Sequence, residues 1–129
     1  MARLRDVIFD CRHPASLGRF WAGVLDEYQV APYDHDELER LRSMGILDPD
    51  DDPTVLVERT SGASPRLWFQ RVPEAKLVKN RVHIDLEADH VDTELERLLE
   101  LGATLAPEQA NDALVVLLDP EGNEFCLLR

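Results

Sequence analysis

No apolar run in this sequence approaches the roughly 20 residues that a helix needs to cross a bilayer. That absence argues against a membrane-spanning protein. Cysteine is nearly absent as well. Cys11 and Cys126 are the only two, too few for a disulfide framework, and a reduced, cytoplasmic setting is the simplest expectation. Positive charge is short: Lys and Arg number 14 against 26 Asp and Glu, for a net charge of -12. Such a surface repels phosphate backbones and anionic lipid, so neither nucleic acid nor a membrane is an expected partner. The start, "MARLRDVIFDCRHP", carries basic residues but only a short apolar run broken by Asp10, and is not expected to act as a signal peptide. There is no Gly-rich phosphate loop and no Ser nucleophile elbow.

What is present suits one domain over residues 1–129, long enough to bury a core. "RLRDVIFDC" is rich in β-branched and aromatic residues and reads as a strand. Pro14 suits the first turn of a helix, and Leu17, Phe20, Trp21, Val24 and Leu25 recur at helical spacing to form one buried stripe. "YQVAPY" is a short strand. "DHDELERLRSMG" is a small helix stopped by Gly45, with Leu38, Leu41 and Met44 on one side. "TVLVERT" and "PRLWFQRV" are strands joined through "SGAS". The second half repeats the order. "KNRVHIDLEA" reads as a strand, and Asp89 is placed to cap a helix carrying Val91, Leu95, Leu98 and Leu99, which Gly102 ends. "ATLAP", "DALVVLLD" and, after the turn "PEGN", "EFCLLR" are strands. Each half is therefore β, α, β, β, β, an internal repeat of pattern, with module 1 at about 1–74 and module 2 at about 80–129. A ferredoxin-like βαββαβ arrangement is the other α+β candidate, but the extra strands in each half argue against it.

Alternation within strands sorts the polar residues. Asp6, Ile8 and Asp10 share a face opposite Val7, Phe9 and Cys11. Arg81, His83 and Asp85 oppose Val82, Ile84 and Leu86. Glu124, Cys126 and Leu128 oppose Phe125 and Leu127. Cys126 is thus expected on a ligand-facing side and Cys11 in the core, so a disulfide between them is not expected. Trp68 shares the Gln70 face and could stack on a planar ligand, whereas Trp21 belongs to the core stripe. Arg81 could pair with an anionic ligand group. His83 could serve as a general base oriented by Asp6 or Asp85. "DPDDDP" suggests calcium, but Pro53 stands where a calcium loop needs Gly, so this acidic stretch reads as a solvated loop.

The doubled pattern, together with "DPEGNEF", "LGRFWAGVLD", "LERLLELGA" and "RLWFQRVPEAK…KNRVHIDL", resembles the glyoxalase/bleomycin-resistance/extradiol-dioxygenase superfamily, also called vicinal oxygen chelate, and its glyoxalase-like branch in particular. The resemblance spans essentially the whole chain. It implies an α+β fold of two βαβββ modules whose strands curl into a mixed sheet around a ligand, with the helices outside. Metal-using members draw ligands from the first, fourth, fifth and eighth strands. Carried over, these positions are Asp6, Gln70, His83 and Cys126. A centre for Mg, Mn, Fe or Ni favours carboxylates and two imidazoles, and this set offers one of each plus an amide and a soft thiol. The resemblance thus implies a small-molecule binding protein with a degenerate, metal-free pocket formed by Asp6, Trp68, Gln70, Arg81, His83 and Cys126. It also implies a homodimer, as do Trp- and Leu-rich module edges that two small modules leave uncovered. The alternatives are a lyase, isomerase or dioxygenase dependent on a divalent metal, and a cofactor-independent catalyst with His83 as base.

Overall fold

Val7, Ile8 and Phe9 build the first strand, β1 (Asp6–Cys11), in a computed structural model that describes residues 1–129. After it come α1 (Pro14–Val24), β2 (Tyr28–Val30), α2 (His35–Ser43), a 3-10 turn at Pro49–Asp51, β3 (Thr54–Arg59) and β4 (Arg66–Arg71). The second half contains β5 (Ile84–Leu86), α3 (Val91–Leu101), β6 (Thr104–Leu105), β7 (Leu114–Leu118) and β8 (Glu124–Leu128). The chain divides into two compact units, Met1–Ala75 and Lys76–Arg129. The eight strands form two four-stranded sheets, ordered β1-β4-β3-β2 and β5-β8-β7-β6. In each, the first strand runs parallel to the fourth and the remaining pairings are antiparallel. The repeat inferred from pattern is therefore a repeat of topology, with α2 present in the first unit alone.

In the first unit the apolar stripe of α1 lies on the sheet. Leu17, Phe20, Trp21 and Val24 are buried with Val55, Val57, Leu67 and Phe69. Phe9 stacks on Phe69 at 5.0 Å and meets Trp21 at 5.6 Å, and Phe20 meets Trp21 edge-on. Burying each of these large side chains contributes about 1.5–3 kcal/mol. Gly18 is what lets the helix approach: a Cβ there would stand 3.1 Å from Val55 Cγ1. Leu25, expected inside the helix, is instead its extended C-cap. Asp34 caps α2 by accepting from the Glu37 N–H, with Asp36 and Glu37 in the first turn and Arg40 and Arg42 in the last, as the helix dipole favours. Leu41 is buried beneath it, while Met44 is exposed.

In the second unit the core is Leu98, Ala103, Val115, Leu117, Phe125, Cys126 and Leu127. Two expectations are corrected here. The strand expected at 79–88 exists only at Ile84–Leu86, because β8 offers a ladder only from Phe125 to Leu127. Upstream, the Asn80 N–H goes to the Glu124 side chain instead, and Val82 is 77% exposed. Arg81 and His83 therefore precede the strand. The capping of α3 by Asp89 also fails. The N-cap is His90, whose side chain makes no capping hydrogen bond, and Asp89 lies one residue outside. Leu99 is partly exposed, whereas Gly102 ends the helix at φ +120°, a conformation that favours glycine.

Candidate functional site

In the first unit, β4 lies between β1 and β3, and the register sets Asp6 beside Arg66, Ile8 and Leu56 beside Trp68, and Asp10 and Thr54 beside Gln70. Leu67 and Phe69 point to the opposite, buried face, as alternation requires. Arg66 donates two hydrogen bonds to the Asp6 carboxylate, Nε to Oδ1 at 2.7 Å and Nη2 to Oδ2 at 3.1 Å. Its guanidinium also lies 5.5 Å from the centre of the Trp68 ring. The Arg66 hydrogen bonds hold the Asp6 carboxyl below the usual carboxylate range, against the opposing effect of burial.

Trp68 and Leu56 open onto a pocket of about 490 Å³, whose wall includes Pro32, Tyr33, Arg40 and Asp52. Asp52 is only 1% exposed. It accepts from the Tyr33 hydroxyl at 2.8 Å, the Thr54 N–H at 3.0 Å and Arg40 Nη2 at 3.4 Å. Burial, followed by the Asp52 carboxylate, pushes the Tyr33 phenol well above its ordinary pKa, so Tyr33 remains a donor. The reading of residues 48–53 as a solvated loop is corrected at this residue. The sole hint in the sequence is an Asp two residues before a strand's first N–H, the geometry of an Asx turn. Gln70 is exposed, and its carbonyl accepts from the Cys11 thiol at 3.6 Å.

In the second unit the parallel register makes Asp85 and Cys126 direct neighbours. His83 Nε2 lies 3.2 Å from Asp85 Oδ1. The donor atoms of His83, Asp85 and Cys126 all fall within 4.8 Å of one another. Cys126 is 6% exposed and lies beside Asp85 in the register. Burial first, and then the Asp85 charge, push its thiol pKa up. Arg81 is exposed in the bend before β5. A second pocket, about 720 Å³, is lined by Lys76, Lys79, Pro107, Val116, Leu118 and Glu124 among others. Val116 and Leu118 pair with Cys126 and Glu124, so they share their face of the sheet. Glu124 accepts from Lys76 Nζ and the Asn80 N–H, each at 3.0 Å. Burial works to raise its pKa, but these two partners prevail and lower it.

The turn that opens β8 has a structural explanation. Buried Asp119 accepts from the N–H of Glu121 at 2.9 Å and from the N–H of Asn123 at 3.0 Å, while the Asn123 amide donates to both its oxygens. Gly122 takes φ +87°. The residues of "DPEGN" that signal the fold most clearly thus build a turn.

The sequence matches the glyoxalase-like domain family over residues 6–128. No curated protein matches the chain. Among solved structures, a glyoxalase/bleomycin resistance protein/dioxygenase family enzyme from Burkholderia phytofirmans PsJN is similar, with TM-score 0.62, 20% identity, and 98% of this chain and 97% of that one covered. The fosfomycin resistance protein FosX from Mesorhizobium loti gives TM-score 0.65 at 16% identity, covering 99% of this chain and 91% of that one. A bleomycin-binding protein complexed with bleomycin gives TM-score 0.52 at 11% identity, covering 100% and 98%. At these identities the likeness to solved structures establishes the fold. With two units of identical strand order and a family match over nearly its whole length, this chain belongs to the glyoxalase-like domain family.

Proposed function

We propose that this protein binds a small planar molecule in the pocket beside Trp68, without the hard divalent metal used by the superfamily's metal-dependent enzymes. The observation that carries this reading is the state of Asp6. A first-strand metal ligand must offer its carboxylate to the cation. Here both oxygens accept from Arg66. A cation at Asp6 would have to break these bonds and sit against a guanidinium. The other carried-over donors are a neutral amide at Gln70, the single imidazole of His83 where such centres favour two, and a buried thiol at Cys126, a set poorly suited to Mg, Mn, Fe or Ni. The same Arg66 holds the Trp68 ring through a cation–π contact, and such rigid positioning is what an aromatic binding platform needs.

The test combines metal analysis with fluorescence. Purified protein is expected to carry no stoichiometric Mg, Mn, Fe or Ni. Planar compounds that bind should quench Trp68 emission over the background of buried Trp21. A quench that persists unchanged in Trp68→Phe rules out the pocket. The two free cysteines suit a reducing, cytoplasmic setting. Exposed Ile8, Leu77 and Val82 support association of two copies, which light scattering at micromolar concentration would test.

A second reading has its own observation. His83 lies 3.2 Å from Asp85, the arrangement that orients a general base. If the protein turns over a substrate, His83→Ala should lower kcat at least tenfold, while Arg81→Ala, at the other predicted ligand contact, should act mainly on KM.

A further inference from the structure

The geometry points to a second site: we propose that His83, Asp85 and Cys126 together bind a thiophilic divalent cation, represented by Zn²⁺. This set differs from the one carried over from the superfamily, since all three donors come from one unit and Asp85 takes part. The strand register places Asp85 and Cys126 side by side on neighbouring strands, so the backbone of the sheet fixes two of the donors. His83 stands two residues before Asp85, in the segment that has left the ladder, where its ring can adjust. Tetrahedral zinc holds S, N and O donors roughly 3.3–3.6 Å apart, given bond lengths of about 2.0–2.3 Å. The Nε2–Oδ1 separation is already 3.2 Å, and all three donor atoms lie within 4.8 Å of each other. Side-chain rotations of about an ångström therefore complete the set.

Donor chemistry selects the ion. A thiol with an imidazole and one carboxylate is a borderline-soft set, well suited to zinc and poorly suited to magnesium, manganese or calcium. Burial also separates the roles. Cys126 lies within the sheet, whereas the His83 and Asp85 side chains are 43% and 49% exposed, so the cation has a route in from solvent. Three protein ligands leave a fourth position for water or for a donor from a bound molecule. Val116 and Leu118 supply apolar surface on the same face of the sheet for the rest of such a molecule.

The experiment uses Co²⁺ as a spectroscopic stand-in and Zn²⁺ in competition with a chromophoric chelator, on the full chain after chelator treatment. One equivalent of Co²⁺ should produce a sulfur-to-cobalt charge-transfer band in the near ultraviolet, which stoichiometric Zn²⁺ abolishes. Cys126→Ser should remove the band. Asp85→Asn and His83→Ala, at exposed positions that do not threaten the fold, should each weaken Zn²⁺ binding at least tenfold. Asp6→Asn should leave it unchanged. Absence of the charge-transfer band, or Zn²⁺ affinity unaltered in His83→Ala and Asp85→Asn, overturns the proposal. The Trp68 quench is read separately, so failure here and failure of the pocket beside Trp68 are distinct results.

Discussion

Arg66 holds Asp6 through two hydrogen bonds across the parallel β1–β4 pair, and the two residues are direct partners in the strand register. The pairing gives the Asp6 carboxylate a structural role. It also makes the carboxylate's contribution to stability depend on pH. Asp6 titrates below its ordinary value of about 3.9 in the folded chain. A depressed carboxyl stabilises the fold fully above the unfolded value, and that contribution disappears as pH falls through the lower, folded value. Asp6→Asn should therefore lower the unfolding midpoint at pH 7, and the gap from the parent should narrow steadily below about pH 4. Equal gaps at pH 7 and pH 3 in thermal denaturation would refute this.

Gly18 gives a packing test. Alanine is the better helix former by about 1 kcal/mol. Here, however, its methyl would lie 3.1 Å from Val55 Cγ1 and 3.5 Å from both Phe69 and Val57, all buried. Overpacking of this kind costs about 1–3 kcal/mol, so the crowding outweighs the propensity. Gly18→Ala is expected to destabilise by about 1 kcal/mol, a drop in Tm of roughly 3–5 °C. A raised Tm would show that the helix can move away from the sheet without loss.

The buried network around Asp52 should respond in a fixed order. Three donors converge on this carboxylate, from Tyr33, Thr54 and Arg40. Asp52→Asn removes the charge and presents donor hydrogens where acceptors are needed, at a cost of about 1–3 kcal/mol. Tyr33→Phe removes one donor and leaves the carboxylate two others, costing about 0.5–1.5 kcal/mol. Urea denaturation should rank Asp52→Asn as the more damaging change. The reverse order would mean that the Tyr33 hydroxyl, rather than the carboxylate, organises the pocket wall.

Much of this architecture was legible in the residues. Leu17, Phe20, Trp21 and Val24 announce α1 by spacing, and the alternation around Phe69 and Phe125 announces β4 and β8, because one buried face leaves a periodic trace. Asp6–Arg66 was not legible: the residues are 60 apart in sequence, and only the parallel register brings them together. Asp52 was hidden by its acidic neighbours, since Asp48, Asp50 and Asp51 are exposed or nearly so and a string of like charges gives no sign of which member turns inward. The early end of β5 was hidden as well. Val82 has the composition of a strand residue, but a strand lasts only as long as its partner, and β8 pairs with β5 only from Phe125 to Leu127.

Cys126 offers the last test, with the protein kept in chelator so that no metal competes for sulfur. The thiolate is the reactive form, and two features disfavour it here. The side chain is buried in an interior strand of its sheet, and Asp85 sets a negative charge beside it; Lys79 opposes these effects less strongly. Alkylation by iodoacetamide at pH 7 should therefore be slow in the native protein and rapid after unfolding. Cys11, buried and donating to the Gln70 carbonyl, should be slower still. Asp85→Asn separates the two causes. It removes the charge but leaves the burial, so Cys126 should react several-fold faster while Cys11 is unchanged. If Asp85→Asn leaves the Cys126 rate as it was, access to the sulfur governs its reactivity and the carboxylate has no part in it.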